Sequence, residues 1–311
     1  MADPAVGDTP AQRYRTPEAF RQALAARIAD CAAEGGIAAS EIRRHFTYDR
    51  LLSRLFIADP DRWVLKGATG LLARVPGRAR YSLDVDLFGR TGVTTAVEAL
   101  QRLGTSDTLG DYFTFDINAR RAPSPHEDAA SLTATAFLGE REFERFKIDL
   151  VVVSNMTAEP ETVDPIQPVQ VPGLPTARYR VYPLVDHIAD KHAAMLDTYR
   201  GRPSTRYRDL VDLAIIAETQ VVSADALRTA LLSEYAFRGL PTPTAVTLPS
   251  PDWERGYAQA ARQAAHLEHT TARGAAELVG RLINPVLAGR HHGTWDPTSS
   301  EWTDEPHAGT T

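Results

Sequence analysis

Asp84 and Asp86 stand two residues apart in the run RYSLDVDLF, which reads as a strand. Side chains at i and i+2 of a strand share one face, roughly 6–7 Å apart along the chain. Two carboxylates so placed repel each other unless a cation lies between them. Upstream, Lys66-Gly67-Ala68-Thr69 makes a turn that opens an apolar helix. A glycine-containing turn at a helix N-terminus offers backbone N–H groups to phosphate. Acids and turn together call for a metal-bound nucleoside triphosphate.

Further along, Phe146–Val153 reads as a buried strand with one acid, Asp149, inside it. A carboxylate among Ile, Leu and Val is costly to desolvate unless it is paired or binds a metal. For this acid alone, a salt bridge to Arg145 and a place in a metal site are equally good readings. Beside Asp84 and Asp86, it is the third carboxylate that a divalent-metal site needs.

Two helical runs carry the remaining candidates. In LVDHIADKHAAMLDTYR, Leu184, Ile188, Lys191 and Met195 form one stripe, so Lys191 interrupts an apolar face. Its stem either snorkels along the core or points its ammonium at phosphate. His187 and His192, five apart, are badly spaced to share a metal and read as structural. In RYRDLVDLAIIAE, Asp209 and Asp212 fall on one face at i, i+3. The helix dipole explains Asp209 in the first turn cheaply, and Asp212 less well.

The elements that must position these residues follow from periodicity. Pro17 starts a helix to about Ala33, and Ser40 is placed to cap a second one that ends near Ala58. Trp63–Leu65 reads as a strand, Gly67–Ala73 as a helix, Asp84–Phe88 as a strand and Thr94–Leu103 as a helix. Tyr112–Arg120, Leu132–Leu138 and Phe143–Val153 read as an antiparallel meander. Residues 157–180 hold five prolines and read as irregular. From Pro183 onward five helices are expected: Leu184–Tyr199, Tyr207–Ala217, Ala224–Tyr235, Asp252–His266 and Thr271–Leu287. The fold class is α+β: a mixed sheet with flanking helices, then an all-helical C-terminal domain. The expected division is a disordered N-terminus at 1–15, a core at 16–180, a helical domain at 181–289 and a disordered tail at 290–311, the last on composition alone.

The 311 residues carry a net charge of −6 at 43% hydrophobic content, ordinary for a soluble globular chain. No apolar run approaches the ~20 residues that span a bilayer, and the N-terminal residues have no signal-peptide core. A cytoplasmic, monomeric protein without membrane contact is the expectation. The single cysteine, Cys31, excludes an intramolecular disulfide and a cysteine-based zinc site. The acidic balance argues against broad nucleic-acid binding. Two basic groups run against that balance: Arg62, Lys66, Arg74, Arg78 and Arg80, then Arg200, Arg202, Arg206 and Arg208. They flank the candidate residues, which favours a polyanionic substrate.

The order KGAT, RYSLDVDLF, KIDLVVV, ADKHAAMLDTYR, RYRDLVDLAII resembles the AbiEii/AbiGii nucleotidyltransferase-like toxin family, including the MenT-type toxins, within the DNA polymerase β-like nucleotidyltransferase superfamily. The resemblance spans roughly Phe46–Ile216. It implies the toxin of a toxin–antitoxin or phage-defence locus, transferring NMP from an NTP to the 3′ acceptor end of tRNA with Mg²⁺ and so blocking aminoacylation and translation. By position, Asp84 and Asp86 match the metal pair and Ser82 the serine before it. Gly67 and Ala68 match the glycine turn, with Lys66 just ahead of it and Thr69 just after. Lys191 matches the lysine of the third motif, Asp209 and Asp212 the acids of the fourth, and Asp149 the third acid of the superfamily. Ala68 departs from the commoner Gly or Ser, which removes a hydroxyl but leaves the backbone N–H donors.

In the mechanism this implies, Asp84 and Asp86 hold Mg²⁺ on the NTP and Asp149 orients or deprotonates the attacking hydroxyl. Lys66 and Lys191 neutralise phosphate charge, while Asp209 orients Lys191 or meets the base. Catalysis is then positioning plus electrostatics. The partners are the NTP, the tRNA acceptor end and a separately encoded antitoxin, one form of which is a kinase acting on Ser82; phosphate there would crowd Asp84. Two competitors remain: a nucleotidyltransferase that modifies a protein or small molecule, and a catalytically silent RNA- or partner-binding module.

Overall fold

The computed structural model describes residues 9–105, 107–119, 128–199, 201–264, 266–290 and 292–304. The chain divides into two compact units. The first takes in residues up to Arg74, then Tyr81–Ser154 and Thr162–Val181; the second takes in Val75–Arg80, Asn155–Glu161 and the chain from Tyr182.

In the first unit, α1 (Pro10–Arg13) and α2 (Pro17–Gly35) lead into α3 (Ala39–Ala58), β1 (Trp63–Leu65), α4 (Gly67–Arg74), β2 (Asp84–Gly89) and α5 (Val93–Gly104). The strands β3 (Phe113–Ala119), β4 (Ala129–Leu138), β5 (Arg141–Val151), β6 (Glu161–Val163) and β7 (Tyr179–Val181) follow. Thr16 caps α2 by accepting from the Ala19 N–H at 3.2 Å, and Pro17 supplies the fixed first φ. Gly36 closes that helix at φ 64, where a side chain would strain the backbone. Ser40 does not cap α3: the helix starts at Ala39, with no side-chain bond from Ala38 before it.

The described strands of this unit join in one sheet, in the order β3-β4-β5-β2-β1-β7-β6. The expected meander β3-β4-β5 is antiparallel throughout. β2 then lies parallel to β5, and β1 antiparallel to β2. One face of the sheet is apolar, with Val85, Leu87, Phe146, Ile148 and Leu150 buried in a core shared with Phe46, Leu51, Leu55, Val97 and Leu100. α3 is also pinned by charge: the buried Arg54 donates to Asp111 Oδ1 at 2.6 Å and to the Phe113 carbonyl at 2.6 Å. Residues 157–180, expected to be irregular, contain β6 and the start of β7.

The second unit contains α6 (Leu184–Leu196), the short β8 (Thr198–Tyr199) and β9 (Arg202–Pro203), α7 (Tyr207–Thr219), β10 (Val222–Ser223) and α8 (Ala224–Phe237). It continues through α9 (Trp253–Ala261) and α10 (Ala272–Leu287) to β11 (Thr294–Asp296) and β12 (Glu301–Thr303). The tail is therefore not disordered over 294–303. β11 and β12 form an antiparallel hairpin that pairs with β10. Trp295 is buried there and donates its indole N–H to the Ala217 carbonyl at 2.8 Å. The disorder expected at 1–15 fails at Pro10–Arg13, which is helical, and residues 1–8 lie outside the described ones.

Candidate active site

Lys66 ends the turn after β1, and its N–H donates to the Asp86 carbonyl at 2.8 Å. Gly67 then opens α4 at φ 59, and a Cβ at that position would run into the Asp86 carboxylate. Only glycine meets both demands: the left-handed backbone and the carboxylate packed on its Cα. The turn and the acid pair are thus one site. Thr69 closes it from α4, its buried hydroxyl donating to the Asp84 carbonyl at 2.8 Å. Ala68 is buried in the same helix.

Asp84 and Asp86 are half-buried on one face of β2, while Val85 and Leu87 between and beyond them are buried on the other. The parallel register sets Asp86 opposite Asp149 and Asp84 opposite Lys147, so all four share that face. Asp149 is half-buried, and Phe146, Ile148 and Leu150 alternate with it on the core side. The expectation of a buried strand is corrected: this strand is amphipathic, and its acid lies on the open face. Arg145 pairs with Glu142 at 3.3 Å, and Asp149 Oδ1 accepts from the Ser131 hydroxyl of β4 at 2.9 Å. Ser82 is buried and donates to Asp84 Oδ1 at 2.8 Å.

Among the described residues no group of three or more acids, histidines or cysteines stands close enough to hold a metal ion. The three-carboxylate site expected from Asp84, Asp86 and Asp149 is thus not preformed. Asp84 and Asp149 are each turned to a serine hydroxyl instead. The donor chemistry still suits Mg²⁺, which takes hard oxygens and needs only one or two protein carboxylates when phosphates and water complete its shell. Asp84 and Asp86 supply that pair.

The second unit holds the other candidates in a buried network. Lys191 Nζ donates to Asp209 Oδ1 at 3.1 Å and to Asp212 Oδ2 at 2.6 Å. Arg80 grips Asp212 with two parallel bonds, at 2.9 and 3.0 Å. Arg206 Nε donates to Asp209 Oδ2 at 2.5 Å. Burial works against the charge of each carboxylate. It is outweighed at Asp209 by Lys191 and Arg206 and at Asp212 by Lys191 and Arg80, so both acids are held below the usual carboxylate range. Burial likewise opposes the Lys191 ammonium, and Asp212 and Asp209 raise it above its ordinary value. Lys191 therefore does not snorkel; it is 5% exposed. His192 is structural, with Nδ1 2.7 Å from the Tyr235 hydroxyl.

Sequence reasoning missed Arg80 as the partner of Asp212, Ser131 as the partner of Asp149, and Thr69 as a support for the Asp84 backbone. Alternation along β4 could have found Ser131, which sits opposite Asp149 in the antiparallel register. Much of the basic character read as a polyanion surface is already neutralised: Arg62 pairs with Asp59, Arg78 with Glu218, Arg80 with Asp212 and Arg206 with Asp209. Arg200 lies outside the described residues.

The glycine turn is packed on the acid pair at the start of a central strand, and comparison with known families gives the class of protein. The profile of the family described as "Nucleotidyl transferase AbiEii toxin, Type IV TA system" matches residues 50–278, and the chain belongs to this family. The match continues through α8 and α9 into α10, beyond the motifs read from sequence. One similar solved structure, described as a "putative nucleotidyltransferase from H. pylori", is 17% identical over 80% of this chain and 97% of that chain, with a TM-score of 0.45. No curated protein matches. Among the described residues no helix is long and apolar enough to cross a membrane.

Proposed function

We propose that this family member is a Mg²⁺-dependent toxin that transfers NMP from an NTP to the 3′ acceptor end of tRNA, blocking aminoacylation and translation, and that a separately encoded antitoxin opposes it. The observation that supports this most is the Asp86 carboxylate seated on Gly67 at the N-terminus of α4, with Asp84 beside it and Asp149 across the register. Asp84 and Asp86 would hold the ion, which when bound supplies positive charge to phosphate oxygens. The first N–H groups of α4, at Gly67, Ala68 and Thr69, meet phosphate, and Lys66 adds charge next to them. Asp149, with Oδ1 engaged by Ser131, orients the attacking hydroxyl and takes its proton at Oδ2. Within the second unit, Asp209 and Asp212 orient Lys191, the lysine that the family resemblance assigns to phosphate charge.

Incubating the protein with each labelled NTP in turn, with Mg²⁺ and total RNA, tests this. Label should enter the tRNA fraction at the 3′ end, and Asp86→Ala should remove it. The pairing of Arg62, Arg78, Arg80 and Arg206 with neighbouring acids favours keeping a second acceptor in view, a protein or small-molecule hydroxyl. A parallel incubation with total protein separates the two: label there and none in RNA would shift the acceptor. No Mg²⁺-dependent label in any fraction would leave a silent binding module.

A kinase antitoxin acting on Ser82 would meet a hydroxyl that is 1% exposed and bonded to Asp84. The Tyr81–Leu83 segment would have to leave its place first, and phosphate on Ser82 would then bar its return. Equal transfer by phosphorylated and unmodified protein would dispose of that control.

A further inference from the structure

His45 lies on α3, far in sequence from the acids, and is fully buried. Its Nδ1 is 2.8 Å from the Glu41 carbonyl one turn back. Its Nε2 is 3.2 Å from the backbone nitrogen of Ser82. A carbonyl can only accept and a backbone N–H can only donate. The ring must therefore carry its proton on Nδ1 and leave Nε2 bare, which makes it neutral. Tyr48 and Tyr81 close the ring in, with centroids at 5.1 and 4.6 Å. Burial pushes the imidazole down to about 4, in keeping with a neutral ring.

The segment it grips is the one that enters β2. Ser82 turns its hydroxyl onto Asp84 Oδ1, at 2.8 Å, and Leu83 between them is 56% exposed. Apart from that hydroxyl, Asp84 is fixed by Thr69 at its carbonyl and by the strand that follows. We propose that His45 is a positioning residue for Asp84: its bare Nε2 holds the Ser82 N–H, and this sets where the Ser82 hydroxyl meets the carboxylate. The proposal rests on the reading of Asp84 as part of the nucleotide site. It deepens that reading by tracing the aim of one acid to a helix on the core side of the sheet.

A glutamine amide reaches about as far as Nε2 and can accept there; an asparagine amide reaches only to about Nδ1. The full chain is compared with His45→Gln and His45→Asn by melting temperature, by amide exchange resolved at Ser82, and by kcat and the half-saturating Mg²⁺ concentration for nucleotide transfer. His45→Gln should stay within about threefold of wild type in every rate. His45→Asn should speed exchange at Ser82 about tenfold or more, lower kcat about tenfold and raise the Mg²⁺ requirement. Wild-type exchange or wild-type kcat in His45→Asn overturns the proposal, as does equal damage in both variants at equal melting temperature. Should His45→Asn not fold, Ser82→Ala takes its place: the amide at position 82 should stay protected while kcat falls, and an unchanged kcat there overturns the proposal. If wild type transfers no nucleotide, the reading of the site has failed, and the exchange comparison still decides whether His45 holds Ser82.

Discussion

Asp84 and Asp86 in the first unit and Asp209 and Asp212 in the second are both pairs of acids close in sequence, yet they are held in different ways. The first pair stands half-buried on the open face of a strand, with a serine hydroxyl as the partner of Asp84. The second pair is buried, and three cations of its own unit, Lys191, Arg80 and Arg206, neutralise it. A hydroxyl satisfies one lone pair and leaves a carboxylate its full charge, able to meet a cation from solution. A bidentate guanidinium and a lysine ammonium leave little of that charge to offer. Asp84 therefore keeps charge to offer a ligand, and the second unit's acids orient its own lysine and arginines.

Asp86→Ala should separate the two roles most sharply. Transfer should fall by at least about 10²–10³-fold, while the melting temperature should stay within about 2 °C, because a half-buried acid is removed from an open face. Gly67→Ala should approach the same loss with Asp86 intact, since the new methyl displaces the carboxylate and sits at φ 59. Wild-type turnover in either variant would remove the first unit's acids from the chemistry.

Asp212→Ala should behave in the opposite sense. It strands Arg80 as a buried cation and leaves Lys191 with Asp209 alone, so stability should drop by about 3–5 kcal/mol, measured by urea unfolding monitored through tryptophan fluorescence. A loss below about 1 kcal/mol would mean that Asp212 is no structural anchor, and the contrast between the pairs would dissolve.

The sequence made the first pair easier to read than the second. Strand alternation and a glycine turn are local patterns, and β1 and α4 begin where they were expected. The helices α6 and α7 were equally legible, but Arg80 and Asp212 meet across 132 residues, and no local pattern announces that. The strand around Asp149 reads as buried because Leu150-Val151-Val152-Val153 hides the two-residue alternation that Phe146, Ile148 and Leu150 keep. The tail reads as disordered on composition alone, and composition takes no account of Trp295. That indole is 1% exposed, so Trp295→Ala should cost the second unit about 3–5 kcal/mol, read in the same urea titration. No change would restore the view of the tail as a loose end.

Acid titration gives a finer test, because each unit carries a buried histidine held neutral, His45 in the first and His192 in the second. Burial lowers His45 in the first unit and His192 in the second to about 4, against about 6.5 in an unfolded chain. Below pH 6.5 the unfolded state takes a proton that the folded state refuses until about pH 4. The stabilising contribution of each ring is thus complete above pH 6.5 and falls away between 6.5 and 4, by about 3 kcal/mol each. Asp209 and Asp212, held low by their cations, contribute stability above the ordinary carboxylate range and lose it as pH falls through their lowered values. Decline in the second unit should therefore continue below pH 4. His192→Leu shifts stability at every pH by removing the Tyr235 bond, so the informative quantity is the slope, which should flatten between pH 6.5 and 4 only. Asp212→Asn should flatten it below pH 4 only. A wild-type stability that is level from pH 7 to 4.5 would show that neither imidazole is held neutral, and with it would go the argument that the His45 tautomer is set by its two partners.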